Sequence, residues 1–272
     1  MEEWTSPDDK IFKQLIKPGV FGQKPFEGSC VRLNIVDCPP QMTKFNNVDL
    51  VMGELDGAVG RMLDISVCTM HLNEQAKFTL ILDLTPISAI IELVELKFNG
   101  FIFEWGAKKK LDMALGHKNK GAEFFAENNL TDAAHRFSKG LKLLCSIPLD
   151  VEYPPQVIDG VSIQEINLLK EKLYNNLSSC YFKQKIDHMV IPLCEKVLSI
   201  NGNNVKALYR IGVAYKNDKN YEKAYEALRK LNQLEPQNKA GAEQLAKVNL
   251  RLKEANVRVN NIMKKMVIDS LK

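Results

Sequence analysis

The rhythm of hydrophobic positions changes near Trp105. Before it, short runs rich in β-branched and aromatic residues are broken by turn residues: CVRLNIVD, VDLVM, AKFTLILDL and AIIELVELKF. Runs of that length and composition predict strands. After it, apolar residues recur at helical spacing while Gly and Pro become sparse, so long amphipathic helices follow. The chain of 272 residues is long enough for two cores. The pattern predicts an α+β protein with an antiparallel β domain over residues 1–105 and an all-α domain over residues 106–272.

Within the helical half, small and large residues repeat in phase. Gly212 is followed by Tyr215, Ala224, Leu228 and Pro236; one period of about 34 residues upstream, Ser178 is followed by Tyr181, Val190, Cys194 and Gly202. A third unit, KNKGAEFFAENNLTDAAHRFSKGLKLL, places Gly121, Phe124, Ala133 and Phe137 likewise. Period and residue sizes are similar to those of the tetratricopeptide repeat, and three repeats suffice for a stable stack. An extra segment, CSIPLDVEYPPQVIDGVSIQEINLLK, separates the first repeat from the second and reads as a loop before a long helix. The final stretch from Ala240 predicts one terminal helix capping the stack.

Charge divides the two halves further. Residues 1–105 carry 9 Lys+Arg against 15 Asp+Glu, and residues 106–272 carry 28 against 18. The basic half mixes cations with carboxylates and lacks aromatic platforms or base-reading motifs, so an acidic peptide suits it better than nucleic acid. No window approaches the roughly 18 uninterrupted apolar residues of a membrane span, and the start MEEWTSPDDK is acidic and polar. The expected location is therefore the cytoplasm or nucleus. Cys30, Cys38, Cys68, Cys145, Cys180 and Cys194 fall at no zinc-like spacing and are expected as reduced core fillers. His71, His117, His135 and His188 form no metal motif, and no cofactor is expected. Glu54 and Asp56 in GELDG are expected in a solvated turn, and Lys108, Lys109 and Lys110 on a solvated helix face.

One pair stands out. Lys206 and Arg210 are four residues apart and share a face of the third repeat's first helix. The same phase puts Asn176 at the position of Arg210, with Lys118 nearby on the first repeat. These residues offer charge-assisted and neutral donors to carboxylates. Alone, each would be an ordinary surface group; together they face one concave surface.

The segments KNKGAEFF, LYNNLSSCYFK and VKALYRIGVAY resemble the dicarboxylate-clamp repeats of the large immunophilins and related co-chaperones. The resemblance implies that Lys118, Asn176, Lys206 and Arg210 are clamp positions. The partner it implies is the C-terminal EEVD tail of the ninety-kilodalton heat-shock chaperone, or of the seventy-kilodalton one. Ala122 departs from the pattern, since many clamps carry a second asparagine there.

The N-terminal half resembles an FK506-binding domain through FKQLIKPGVFGQKPFEGSCVRLNIVD, LDISVCTMHLNEQAKFTL and the last strand AIIELVELKF. It departs at the pocket. Leu63 replaces the floor tryptophan, the aspartate-bearing segment shrinks to CPPQMTKFNN, and the tyrosine-bearing loop shrinks to DLTP. The resemblance implies a degenerate domain without prolyl isomerase activity, which serves an adaptor by holding a client or regulatory partner on its surface. An active isomerase with a rebuilt pocket and a scaffold in an RNA-silencing assembly are the rival expectations. Arg251, Lys253, Arg258, Lys264 and Lys265 of the terminal helix sit beside Val and Met, suiting a cap first and calmodulin or an acidic surface second.

Overall fold

The computed structural model describes residues 3–82, 85–148 and 155–270, without the side chains of residues 85, 260, 261, 264, 265 and 267–270. The chain divides into two compact units, Met1–Trp105 and Gly106–Lys272.

The first unit is one six-stranded antiparallel sheet. Its strands are β1 (Glu3–Thr5), β2 (Ile11–Lys17), β3 (Cys30–Val36), β4 (Asp49–Val51), β5 (Gln75–Leu82) and β6 (Thr85–Lys97), in the order β1-β2-β5-β6-β3-β4. Alternation sets the register: Val31, Leu33 and Ile35 of β3 are buried while their neighbours are less so, as period two requires. Helix α1 (Gly57–Val67) contributes Leu63 and Val67 to the same buried cluster. A short 3-10 turn, Pro40–Phe45, adds Met42 and Phe45. Under the sheet's other end, Lys13 Nζ lies 2.6 Å from Glu74 Oε1, both side chains almost wholly buried. That contact is off the hydrogen-bonding direction and so acts as charge attraction. Lys13 Nζ also donates to Thr69 O at 2.9 Å, and Glu74 Oε2 accepts from His71 N at 2.9 Å.

The second unit is a stack of helices: α2 (Ala107–Ala126), α3 (Leu130–Cys145), α4 (Ile163–Lys183), α5 (Asp187–Ile200), α6 (Val205–Asn217), α7 (Tyr221–Leu234) and α8 (Lys239–Ser270). Asparagine side chains cap several of them: Asn129, Asn204, Asn220 and Asn238 each accept the backbone N–H three residues on. The turns inside the three helical pairs repeat one strained device, a non-glycine residue at positive φ: Asn128 (60°), Lys185 (61°) and Lys219 (62°). The small-for-large exchange that marks the repeats is visible in two close approaches. A Cβ on Gly121 would lie 2.6 Å from Phe137, and one on Gly212 would lie 2.6 Å from Leu228.

Four sequence expectations need correction. The segment between α3 and α4 is more than a loop: β7 (Val157–Ile158) and β8 (Val161–Ser162) form a hairpin about Asp159 and Gly160, both at positive φ, as a two-residue turn demands. Asp159 Oδ2 accepts Ala107 N at 2.9 Å, which caps the start of α2. Residues 149–154 of that segment lie outside the described residues. Lys110 is not solvated; it is 1% exposed, and its Nζ reaches Ser146 O at 3.1 Å. Nor are all the cysteines core fillers, because Cys145 is exposed and only Cys180 and Cys194 are buried. Capping by α8 is confined to its first turns, where Val248 joins the core beside Leu245. From Leu250 onward most of its described large apolar side chains, including Val257, Ile262, Met263 and Met266, are exposed, with Leu252 half-buried. Lys264 and Lys265 lie outside the described side chains.

Candidate functional site

Helix α6 positions the leading pair. Ala207, Leu208, Ile211, Ala214 and Tyr215 bury one face of it, which leaves Lys206 exposed and Arg210 half-buried on the neighbouring stripe. Lys206 and Arg210 line one cavity of about 840 Å³ between α4 and α6, closed at its far end by the start of α8. Its lining brings Lys183, Lys206 and Arg210 together with one carboxylate, Glu235, beside Phe182, Tyr209 and the amides of Asn175, Asn204 and Asn238. Glu235 accepts from Asn238 Nδ2 at 3.0 Å. Among the described residues neither Lys206 nor Arg210 has an acidic partner.

Arg210 is held by neutral groups. Its Nη1 donates to the Asn175 carbonyl at 3.3 Å, to Asn175 Oδ1, and to Ser178 Oγ at 3.4 Å. Burial pushes its pKa below the usual guanidinium value, only partly offset by the thiols of Cys194 and Cys180. Those thiols are themselves pushed up to about 11 by burial. A guanidinium at this depth without a carboxylate keeps donors available for an incoming anion.

Asn176 lies one residue on along α4, turned by about 100°. It lines a smaller cavity of about 100 Å³ with Ala122, Phe125, Phe137 and Ser179. Ser179 lines both cavities, so the two are neighbours along α4. Lys118 lies one turn before Ala122 on the same face of α2 and donates to Asn119 Oδ1 at 2.9 Å. The structure thus joins Lys206 and Arg210 in one cavity, sets Asn176 in the adjoining one, and leaves Lys118 out of both linings, one turn from Ala122.

The third unit matches the tetratricopeptide repeat model over residues 205–238. Proteins called FK506-binding protein-like match almost the whole chain. The mouse protein is 25% identical over 272 residues, 97% of this chain and 72% of its own. The human protein is 26% identical over 267 residues, with the same shares. Among solved structures, the C-terminal TPR-containing domain of an FK506-binding protein from Plasmodium falciparum is 29% identical, with a TM-score of 0.51. The match covers 57% of this chain and 99% of that one. The chain is an FKBP-like protein with a tetratricopeptide repeat domain.

In the FKBP-like unit, the residues at the expected pocket are spent on packing. Leu63 is 0% exposed and belongs to one buried cluster with Met42, Phe45, Leu55 and Phe78. The segment CPPQMTKFNN is the 3-10 turn that delivers Met42 and Phe45 to that cluster. Of DLTP, Asp83 and Leu84 lie outside the described residues. A separate cavity of about 550 Å³ is lined by Trp4, Lys13, Phe21, Cys68, His71 and Glu74 among others, and Leu63 is not part of it. Glu54 and Asp56 precede α1, and Asp56 is its extended N-cap residue. No cluster of His, Cys, Asp and Glu suited to a metal is present among the described residues.

Sequence reasoning missed several groups in the repeat domain. Asn175 is the main one, because the repeat phase selects Asn176 and says nothing about which amide reaches across to α6. Lys183 is another: its Nζ sits 4.0 Å from the centre of the Phe125 ring, a cation–π contact linking the two cavities. Its helical distance from Asn175, eight residues, was the available signal.

Proposed function

We propose that this FKBP-like protein is a non-enzymatic co-chaperone adaptor whose repeat domain grips the acidic C-terminal EEVD tail of a heat-shock chaperone of the ninety-kilodalton or seventy-kilodalton class. Lys206 and Arg210 take the terminal carboxylates, Asn176 donates from the adjoining cavity, and Lys118 bonds further along the tail. The observation that carries this reading is the pair of cations in one cavity without an acidic partner among the described residues. Three cations against Glu235 suit a doubly anionic group, and a C-terminal aspartate is one, with its α-carboxylate and side chain. The apolar faces of Phe182 and Tyr209 suit the aliphatic residue before it.

The FKBP-like unit serves this adaptor as a contact domain, not as an isomerase. Prolyl isomerisation must lower a barrier of roughly 18–20 kcal/mol by enclosing a twisted amide. A floor residue must show a face to the bound proline, and Leu63 shows none. This half of the reading expects no acceleration in a proline-limited peptide assay and no FK506 binding by the full chain; acceleration abolished by FK506 would overturn it.

For the repeat domain, calorimetry with a peptide ending in EEVD tests the reading. Amidating the C-terminus removes one charge and its hydrogen-bond geometry, so the free acid should bind and the amide should bind at least tenfold more weakly. Equal affinities for the two peptides would overturn the clamp.

A further inference from the structure

The sequence pattern and the resemblance select Asn176, yet the side chain that touches the clamp arginine is Asn175. Both oxygens of Asn175 accept from a single nitrogen, Nη1 of Arg210, and Ser178 Oγ accepts from the same nitrogen. Among the described residues nothing bonds Nε or Nη2 of Arg210, so that edge of the guanidinium retains its donors. An Nε–Nη2 edge presents two parallel N–H groups, the fork that a carboxylate accepts with both oxygens. The contact also fixes the amide of Asn175. Arginine has donors only, so the atom facing it must be Oδ1, and Nδ2 is then the outer atom. Asn175 lines the large cavity, and its Nδ2 has no acceptor among the described residues.

We infer that Asn175 is a positioning residue of this site: it holds Arg210 by one nitrogen, leaves the Nε–Nη2 edge for a peptide carboxylate, and offers its own Nδ2–H to the same ligand. The inference rests on the carboxylate-binding reading above. It assigns the groove a second asparagine, from α4, in a protein whose Ala122 supplies none on α2. Neutral acceptors suit the task. A carboxylate in place of Asn175 would neutralise Arg210 and compete with the ligand, whereas an amide orients the guanidinium and leaves its charge uncancelled.

The test uses the full chain, an EEVD peptide and two Asn175 variants, with Arg210→Ala and Lys206→Ala each made in the wild type and in Asn175→Leu. Asn175→Leu keeps a helix-favouring residue and the backbone-carbonyl contact but removes the Oδ1 acceptor and the Nδ2 donor, and should weaken binding about tenfold. In that background Arg210→Ala should cost less than it costs in the wild type, while Lys206→Ala should cost the same. Asn175→Asp should weaken binding more than Asn175→Leu does, because it pairs with Arg210 and repels the tail. A peptide-free readout accompanies these: rotation of the Arg210 guanidinium, followed by side-chain NMR of the unbound protein, should be slow in the wild type and fast in Asn175→Leu. Wild-type affinity in Asn175→Leu, or an undiminished Arg210→Ala penalty in that background, would overturn the role of Asn175 and leave the clamp standing. Absence of binding by the wild type would overturn the clamp itself. Fast rotation in the wild type would overturn the positioning whatever the peptide does.

Discussion

Two partly buried cations, Lys13 and Arg210, contrast the two halves of this protein. In the FKBP-like unit, Lys13 is neutralised by Glu74 at 2.6 Å and caps Thr69 O, so its charge is used up in the fold. In the repeat domain, Arg210 is half-buried and has only amide and hydroxyl acceptors, and burial lowers its pKa with no carboxylate opposing. Burying an ion without its counter-ion is costly; Lys110 meets that cost with a backbone carbonyl, whereas Arg210 lines an open cavity where a ligand's carboxylate could complete the pair. In the first half Leu63 is packed into the core and Lys13 has its counter-ion in Glu74. The second keeps an open cavity where, among the described residues, Lys206 and Arg210 have no acidic partner. The same contrast supports the roles proposed above, a contact domain for the first unit and a peptide reader for the second.

Substitutions can break that contrast, and the largest effect belongs to the paired charge. Glu74→Ala strands Lys13 in the sheet's underside and should cost about 3–5 kcal/mol, seen as an early unfolding transition, with peptide affinity unchanged. A neutral result would mean that Lys13 finds water, and the two cations would no longer differ in kind. Gly212→Ala comes next. Its new Cβ meets Leu228 at 2.6 Å, the body of a core side chain, and denaturant unfolding should show a loss of about 1–3 kcal/mol. Peptide binding by the folded fraction should persist, since Gly212 faces away from the cavity lining. Lys216→Ala sharpens the comparison from the side of charge alone. Lys216 Nζ donates to Gln244 Oε1 at 2.7 Å, tying α6 to α8, so its loss should cost about 0.5–1.5 kcal/mol in stability and leave affinity untouched. The smallest effect concerns the thiols beside Arg210. With pKa values pushed up to about 11, Cys180 and Cys194 stay protonated at pH 8 and should react with a thiol reagent far more slowly than exposed Cys145. Mass spectrometry of partially modified protein reads the order.

Much of this was legible in the sequence because it is periodic. Strand alternation in CVRLNIV and the spacing of Gly212 from Leu228 are local patterns with one structural solution each, and they carried the α+β fold and the repeats. Lys206 and Arg210 were legible for the same reason, as two positions on one helical stripe. What escaped was set by contacts between elements. Nothing in KKK distinguishes Lys110 from its neighbours until Ser146 O is placed above it. Asn175 and Asn176 are the same residue type side by side, and only the position of α6 decides which one meets Arg210. The hairpin about Asp159 hid in a segment whose prolines dominate its pattern, although Asp-Gly is a turn signal in its own right.

The central claim is that Arg210 and Lys206 carry charges kept for a ligand. Calorimetry with an EEVD peptide on wild type, Lys206→Ala and Arg210→Ala, with melting temperatures measured on the same samples, tests it most directly. Truncating one member of a hydrogen-bonded charge pair costs about 2–5 kcal/mol, so both variants should lose binding by at least thirtyfold. Lys206→Ala should melt with the wild type, and Arg210→Ala should melt within a few degrees of it, because the lost hydrogen bonds to α4 are offset by removal of a half-buried charge that the fold does not neutralise. Wild-type affinity in both variants, or lost binding that only tracks unfolding, would contradict the account and return the two residues to ordinary structure.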